Sequence, residues 1–387
     1  MAKKQRDPLE EQFIDFIKER SQEDFKKKVL ASERKTITQV AKTVAFLGPF
    51  EDLLENLKEM KFEVPAYKPA KKVAVKRHLN VIWSDHHYGA DLDEKCNRIP
   101  FGVLEETRRM ASLCRQIASY KHHYRDETVL NIHIIGDMIQ GKLHDPEAAA
   151  NLTDQVDRAL WSLTNAIFFL SGQFPEIIIR TAVGNHGRLT SRHATRATDD
   201  KYDSIEFQLY RAIKAVVESN CPNVTMETDT MPFYTYEQFG MRGLMSHGDT
   251  VFNPGYPNKL IDIGKLRTQI NEFNSKEVGE KVILFAFGHV HTAMDVDLGN
   301  AMVITNGCMI PTDQYALSIG IFDTPCKQQM WETVEGHMFG DHRKMDVTVA
   351  DDKDTSLDEI IKPWNNRFKG RFPKPPPTYV KKAKAKK

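Results

Sequence analysis

The chain has 387 residues, 41% hydrophobic and 28% charged, which suits a globular protein larger than one average domain and argues against a disordered or fibrous chain. No apolar stretch reaches about 18 residues and MAKKQRDPLEEQF carries no signal-peptide core, so a membrane span is excluded by sequence and the expected location is cytoplasmic. The net charge of +1 hides a division: residues 1–80 carry 18 Lys/Arg against 13 Asp/Glu and residues 363–387 carry 9 Lys/Arg and no acid, which leaves the middle acidic.

In chain order, Leu9, Phe13, Ile14 and Ile17 fall at helical spacing, and Ser21-x-x-Asp24 has the form of a capping box opening a second helix. Thr36-x-x-Gln39 repeats that signal, Gly48-Pro49 breaks the pattern, and Leu53, Leu54, Leu57 and Met60 line the next helix. Residues 1–63 are thus expected to be a helical module; short helices about a tight Gly-containing turn suggest a helix-turn-helix, and a plain helical bundle is the alternative. Residues 64–78, with two prolines and a cluster of basic residues, read as a linker.

From Leu79 strands alternate with helices, the latter expected at Leu104–Ser119, Val156–Leu170, Ile205–Val217 and around Leu260–Phe273, which predicts an α/β domain. Hairpins are expected for Phe233–Glu237 with Gly240–Ser246 and for Met294–Leu298 with Ala301–Thr305, the second about Gly299-Asn300. With further strand-like runs at Tyr315–Phe322 and Met330–Val334, these suggest a second sheet packed on the first. The basic segment 363–387, with prolines at 375–377 and no apolar periodicity, is expected to be disordered. Cys96, Cys114, Cys221, Cys308 and Cys326 are scattered without a CxxC pair and read as buried free thiols, not a disulfide scaffold or zinc ribbon.

Five apolar runs end at an Asp, Asn or His: LNVIWS before Asp85-His86-His87, VLNIHIIG before Asp137, EIIIRTAVG before Asn185-His186, MRGLMS before His247, and KVILFAFG before His289-Val290-His291. If those strand ends converge, Asp85, His87, Asp137, Asn185, His247, His289 and His291 offer more carboxylate, amide and imidazole groups than one four-coordinate zinc needs. They suit two ions sharing a carboxylate. Mn²⁺ fits this mixture foremost, with Fe or Zn²⁺ possible, and Ca²⁺ is disfavoured because it takes oxygen alone. Two such ions roughly 3.5–4 Å apart can clamp a phosphoryl oxygen and generate hydroxide near neutral pH, which is the chemistry of phosphoester hydrolysis.

In order and spacing, Asp85-x-His87, Gly136-Asp137, Gly184-Asn185-His186, His247-Gly248 and Gly288-His289-x-His291 resemble the motifs of the calcineurin-like metallophosphoesterase superfamily, over about residues 79–335. The resemblance implies a two-sheet sandwich flanked by helices within residues 79–362. It implies one metal held by Asp85, His87, Asp137 and His291, a second held by Asp137, Asn185, His247 and His289, and His186 beside the scissile phosphate. Three residues beyond Asp137, where the family often has an acid or amide, stands Gln140; the departure is at Gly187-Arg188, which follows His186 where the family often has an acid. Arg188 is the candidate phosphate contact. His86, His144 and Arg192 read as bystanders, and His133 as a packed core residue.

GDMIQG and GNHGR do not match the pattern expected of serine/threonine phosphatases. The nuclease branch of the Mre11/SbcD type is the nearer resemblance, although its first motif starts almost at the N-terminus and here follows about 80 residues. The expected helical module in that extension and the basic ends would hold a nucleic-acid backbone by counterion release. The expected function is a metal-dependent phosphodiesterase acting on DNA. The alternatives are a phosphatase or cyclic-nucleotide hydrolase, and an inactive DNA- or polymerase-associated scaffold.

Overall fold

The computed structural model describes residues 64–68, 74–92, 101–120, 122–141, 150–189, 203–229, 231–250, 252, 262–312 and 325–348. The expected N-terminal helices, the run Tyr315–Phe322, and the tail 363–387 lie outside these. Strand β1 spans Arg77–Trp83, β2 Thr128–Ile134, β3 Glu176–Thr181 and β4 Val224–Thr228. These four are parallel neighbours in that order, and the sheet is completed beyond β1 by antiparallel β10 (Lys327–Thr333) and β11 (His342–Asp346). A second sheet runs in the order β5 (Phe233–Gln238), β6 (Met241–Ser246), β7 (Val282–Phe287), β9 (Met302–Thr305) and β8 (Met294–Asp297). Its three central strands are parallel and its two edge strands antiparallel.

β2 is buried at every position, so it reads as a mainly apolar run that also buries Asn131 and His133, and not as an alternation. Its two faces explain why. Ile82, Ile135 and Ala182 from the first sheet meet Tyr234, Met245, Leu284 and Ala286 from the second in one core cluster. The opposite face of the first sheet is covered by helices α1 (Val103–Ser119), α2 (Leu152–Ser171) and α3 (Ile205–Asn220), with α1 reaching β11 and α3 reaching β4. The outer face of the second sheet packs Leu244, Phe285 and Phe287 on Leu266 and Ile270 of α4 (Ile263–Lys276). The described residues therefore form a two-sheet sandwich between helical layers.

Three helix starts are fixed by side-chain caps: Asn151 accepts from Asp154 N, Ser204 from Glu206 N and Asp262 from Lys265 N. Asn151 explains why α2 begins four residues before the expected Val156. Edge strands β4 and β11 were not expected; VTMET and HRKMD lack an apolar run because each has neighbours on one side only. β1 begins at Arg77, so the last two residues of the expected linker are strand.

Candidate metal centre

The parallel strands β1, β2 and β3 of one sheet and β6 and β7 of the other all point their carboxyl ends toward one region, and the loops that follow carry the motif residues. The loops keep pairing after the strands stop. Asp85 N donates to Gly136 O at 3.0 Å, His87 N to Asp137 O at 3.0 Å and Tyr88 N to Met138 O at 2.8 Å. The backbone then turns abruptly: Asp85, His87, Asp137, His289 and His291 all have φ between 54° and 68°, in the left-handed region. Among the described residues the sole other non-glycine with positive φ is Phe239, in the β5–β6 hairpin. Asp and His tolerate this region better than most side chains, yet each such residue costs on the order of 1–3 kcal/mol. Five of them in one place means that packing holds a strained cradle in shape.

Glycine makes the close approach possible. A Cβ on Gly136 would meet Gly184 N at 2.3 Å, and one on Gly184 would meet Asp137 Oδ1 at 2.1 Å. The loops after β2 and β3 are thus packed backbone to backbone.

Two sets of donor atoms result, each lying within 4.8 Å: Asp85, His87 and His291 in one, Asp137, His247 and His289 in the other. His87 and Asp137 also form a third such set with His186, so Asp137 stands between the two. His87 Nε2 and His291 Nε2 are 3.2 Å apart, and His291 Nε2 is 3.3 Å from Asp85 Oδ1. His247 Nε2 is 2.9 Å from Asp137 Oδ2 and 3.0 Å from Asn185 Oδ1, which brings the amide oxygen into the second set. The structure therefore brings all of the sequence-predicted metal-binding candidates together.

The donor set fits divalent metals. His247 faces three acceptors with two nitrogens, since Nδ1 also lies 2.8 Å from Ile135 O. With Nδ1–H on that carbonyl, the Nε2 lone pair would point at two oxygens, an arrangement that a proton or a cation must relieve. His87 Nδ1 is buried without a hydrogen-bond partner. Without metal, burial works against a charged His247, yet the Asp137 carboxylate raises its pKa from 6.5 to about 10. Burial alone would raise the Asp137 pKa, but the positive charge of His247 holds it well below the usual range. Burial holds His87 well below 6.5 and brings His289 down to about 4, so both are neutral, as ligands must be.

A metal held by His247 would displace its proton, so titrating the metal-free chain with Mn²⁺ at pH 7.5 should release at least about one proton per chain. Calorimetry in buffers of different ionisation enthalpy would read it, and no release would mean that His247 enters the centre neutral. Because the folded pKa exceeds the unfolded value of 6.5, this proton stabilises the metal-free fold fully below pH 6.5 and fades as pH rises toward 10.

Behind Asp85 lies a network that the motifs did not reveal. Ser84 Oγ donates to Asp85 Oδ2 at 2.5 Å, His289 N reaches both carboxylate oxygens at 3.1 Å, and Asn306 Nδ2 donates to Ser84 Oγ at 2.8 Å and to Gln328 Oε1 at 2.9 Å. Asn306 ends the apolar strand Met302–Thr305, so the rule that found Asn185 also points to it. From the helices, Glu106 accepts from Gly89 N at 2.7 Å, Gln155 accepts from Gly141 N at 2.7 Å, and Glu206 accepts from Met138 N at 2.5 Å and Gly184 N at 2.7 Å.

His186 has its Nδ1 2.7 Å from the main-chain carbonyl of Gln140, and its own N–H donates to Asp137 Oδ1 at 2.8 Å. A carbonyl thus orients this ring, and the Gln140 side chain takes no part in that contact. The His186 and His87 rings meet edge to face at 4.5 Å. Arg188 Nε donates to Asn185 O at 3.0 Å. His86 lies between Trp83 and Tyr88, away from the donor sets. His133 bonds Tyr234 Oη at 2.9 Å and Asn80 Oδ1 at 3.1 Å in the intersheet core. His144 and Arg192 lie outside the described residues.

In motif order the centre resembles that of the calcineurin-like metallophosphoesterases. No protein-family model matches the chain, and no curated protein does. Among solved structures, an archaeal phosphodiesterase aligns over 69% of this chain and 99% of its own, at 12% identity and a TM-score of 0.34. A predicted phosphoesterase from Streptococcus pneumoniae aligns over 70% and 99%, at 10% identity and 0.29. Zinc-complexed Vps29 from Entamoeba histolytica does so over 70% and 99%, at 8% identity and 0.31. At such values the likeness carries no inference about activity, and the case for a metallophosphoesterase rests on the side chains. Cys114, Cys221, Cys308 and Cys326 are buried free thiols, while Cys96 lies outside the described residues. Among the described residues no helix is long and apolar enough to cross a membrane.

Proposed function

We propose that this chain is a dinuclear metal-dependent phosphodiesterase whose substrate is nucleic acid, DNA first. The observation that carries the proposal is the position of Asp137, within 4.8 Å of His247 and His289 of one donor set and also of His87 of the other. Asp85, His87, Asp137 and His291 would hold one cation, and Asp137, Asn185, His247 and His289 the other, with Mn²⁺ the first choice. The pair would supply positive charge to the phosphoryl oxygens and lower the pKa of the attacking water.

The chain's own residues do the rest. The network behind Asp85 and the imidazole bonds of His247 fix ligand direction, so little reorganisation is needed on substrate binding. His186, held through Nδ1, presents Nε2 to the leaving oxygen and delivers a proton there. Arg188, anchored on the Asn185 carbonyl, is assigned the contact with a phosphate oxygen.

What supports nucleic acid over a small ester is the charge distribution: basic termini flank an acidic middle, a pattern suited to holding a polyanion beside cations. Residues 1–63 and the basic segment 363–387 are the proposed DNA contacts. The test is a panel of single- and double-stranded DNA, RNA, and nitrophenyl mono- and diesters with the Mn²⁺-loaded chain. DNA should be cut, and the diester turned over faster than the monoester. Intact DNA and RNA beside a hydrolysed diester would remove the nucleic-acid assignment and leave a small-molecule phosphodiesterase.

A further inference from the structure

The motif Gly184-Asn185-His186-Gly187-Arg188 carries no acid of its own, yet a carboxylate lies against it. Glu206, in the first turn of α3, is fully buried, and its two oxygens are used separately. Oε1 accepts from Met138 N, the residue after Asp137, at 2.5 Å, and Oε2 accepts from Gly184 N, the residue before Asn185, at 2.7 Å. One side chain therefore ties the loop that presents Asp137 to the loop that presents Asn185. Gly187 completes the arrangement: a Cβ there would lie 2.6 Å from Glu206 Cγ and 2.8 Å from Ser204 Oγ, so the glycine leaves the space that the carboxylate's stem occupies. Ser204 caps the helix through Glu206 N at 3.2 Å, and Ile205 N donates to Gly187 O at 2.9 Å, which locks the start of α3 onto the same loop.

We propose that Glu206 is a positioning residue of the metal centre, setting the separation of Asp137 and Asn185 by bridging the amides of Met138 and Gly184. The inference rests on the dinuclear reading above. A carboxylate suits this task because it accepts from both amides with charge-assisted bonds, whereas a Gln would turn an NH₂ group toward one of them and lose that bond. The effect of Glu206 should fall on the cation shared by Asp137, Asn185, His247 and His289, and should leave Asp85, His87 and His291 nearly untouched.

The experiment is Mn²⁺ titration of the full metal-free chain by calorimetry, with bis(4-nitrophenyl) phosphate turnover measured in parallel. In the wild type two binding steps are expected. Glu206→Gln should weaken one step by about 10–100-fold and leave the other within a few-fold, the loss typical when a group that orients a ligand is removed. Turnover should drop at limiting Mn²⁺ and recover at excess, with KM for the diester nearly unchanged; a merely structural role would not give metal-dependent rescue. Should Glu206→Gln fail to fold, Gly187→Ala displaces the same carboxylate from the opposite side and should weaken the same step. Two unchanged binding steps in a folded variant, or a wild type that takes up no Mn²⁺, would overturn the proposal. A wild type that binds two Mn²⁺ but cleaves no phosphoester would instead overturn the functional reading, with the titration still deciding the role of Glu206.

Discussion

Replacing Asp137 by Asn should abolish phosphodiester hydrolysis, by on the order of a thousandfold, while the fold survives. Orienting groups behind a ligand typically contribute 10–100-fold, and Asp137 lies closer in, between both donor sets. The Asn side chain keeps the shape and one acceptor for His186 N, which now bonds Oδ1 at 2.8 Å. It removes the charge that holds His247 protonated. The variant should therefore bind at most one Mn²⁺ with useful affinity and show a His247 pKa close to or below 6.5. Activity on a nitrophenyl diester, metal content, and a thermal melt together check the claim. If the variant keeps within tenfold of wild-type turnover, Asp137 does not join two cations.

The second large effect is steric. Gly184→Ala places a methyl where Asp137 Oδ1 lies 2.1 Å and Asp137 N 2.3 Å away, and neither can retreat without breaking the pairing of the loops. Overpacking of this kind costs about 1–3 kcal/mol, so the melting temperature should fall by several degrees. The loss in metal affinity should be larger in proportion, at least about a hundredfold, because the displaced atom belongs to the carboxylate itself. The same change at Gly240, whose Cβ would meet nothing within 4 Å, serves as the comparison: any loss there comes from its φ of +76° and should spare the metal. Equal metal affinity in Gly184→Ala would show that the loops after β2 and β3 do not need their close approach.

The metal-binding candidates were legible in the sequence for a physical reason. A central parallel strand is buried largely on both faces, so it is written as a mainly apolar run, and the polar residue that ends it stands out. Asp85, Asp137, Asn185, His247 and His289 all stand at such ends. The helices were visible by period, and both hairpins fell where Phe239-Gly240 and Gly299-Asn300 turn the chain. What escaped is what leaves no local trace. Glu206 looks like an ordinary first-turn acid of a helix, and its burial against two distant amides appears only in three dimensions. Gln328 and Glu106 are hidden for the same reason. The left-handed backbone of Asp85 and His87 is imposed by loop packing and by pairing with the loop after β2. The missing acid after His186 was legible, but its consequence was not: the Gln140 carbonyl orients the ring, and Gly187 makes way for Glu206.

The central claim is that two cations lie on either side of Asp137, and anomalous diffraction from crystals soaked in Mn²⁺ tests it most directly. Two peaks are predicted, one among Asp85, His87 and His291 and one among Asn185, His247 and His289, with Asp137 reaching both. A single peak, or none beside Asp137, would contradict the account.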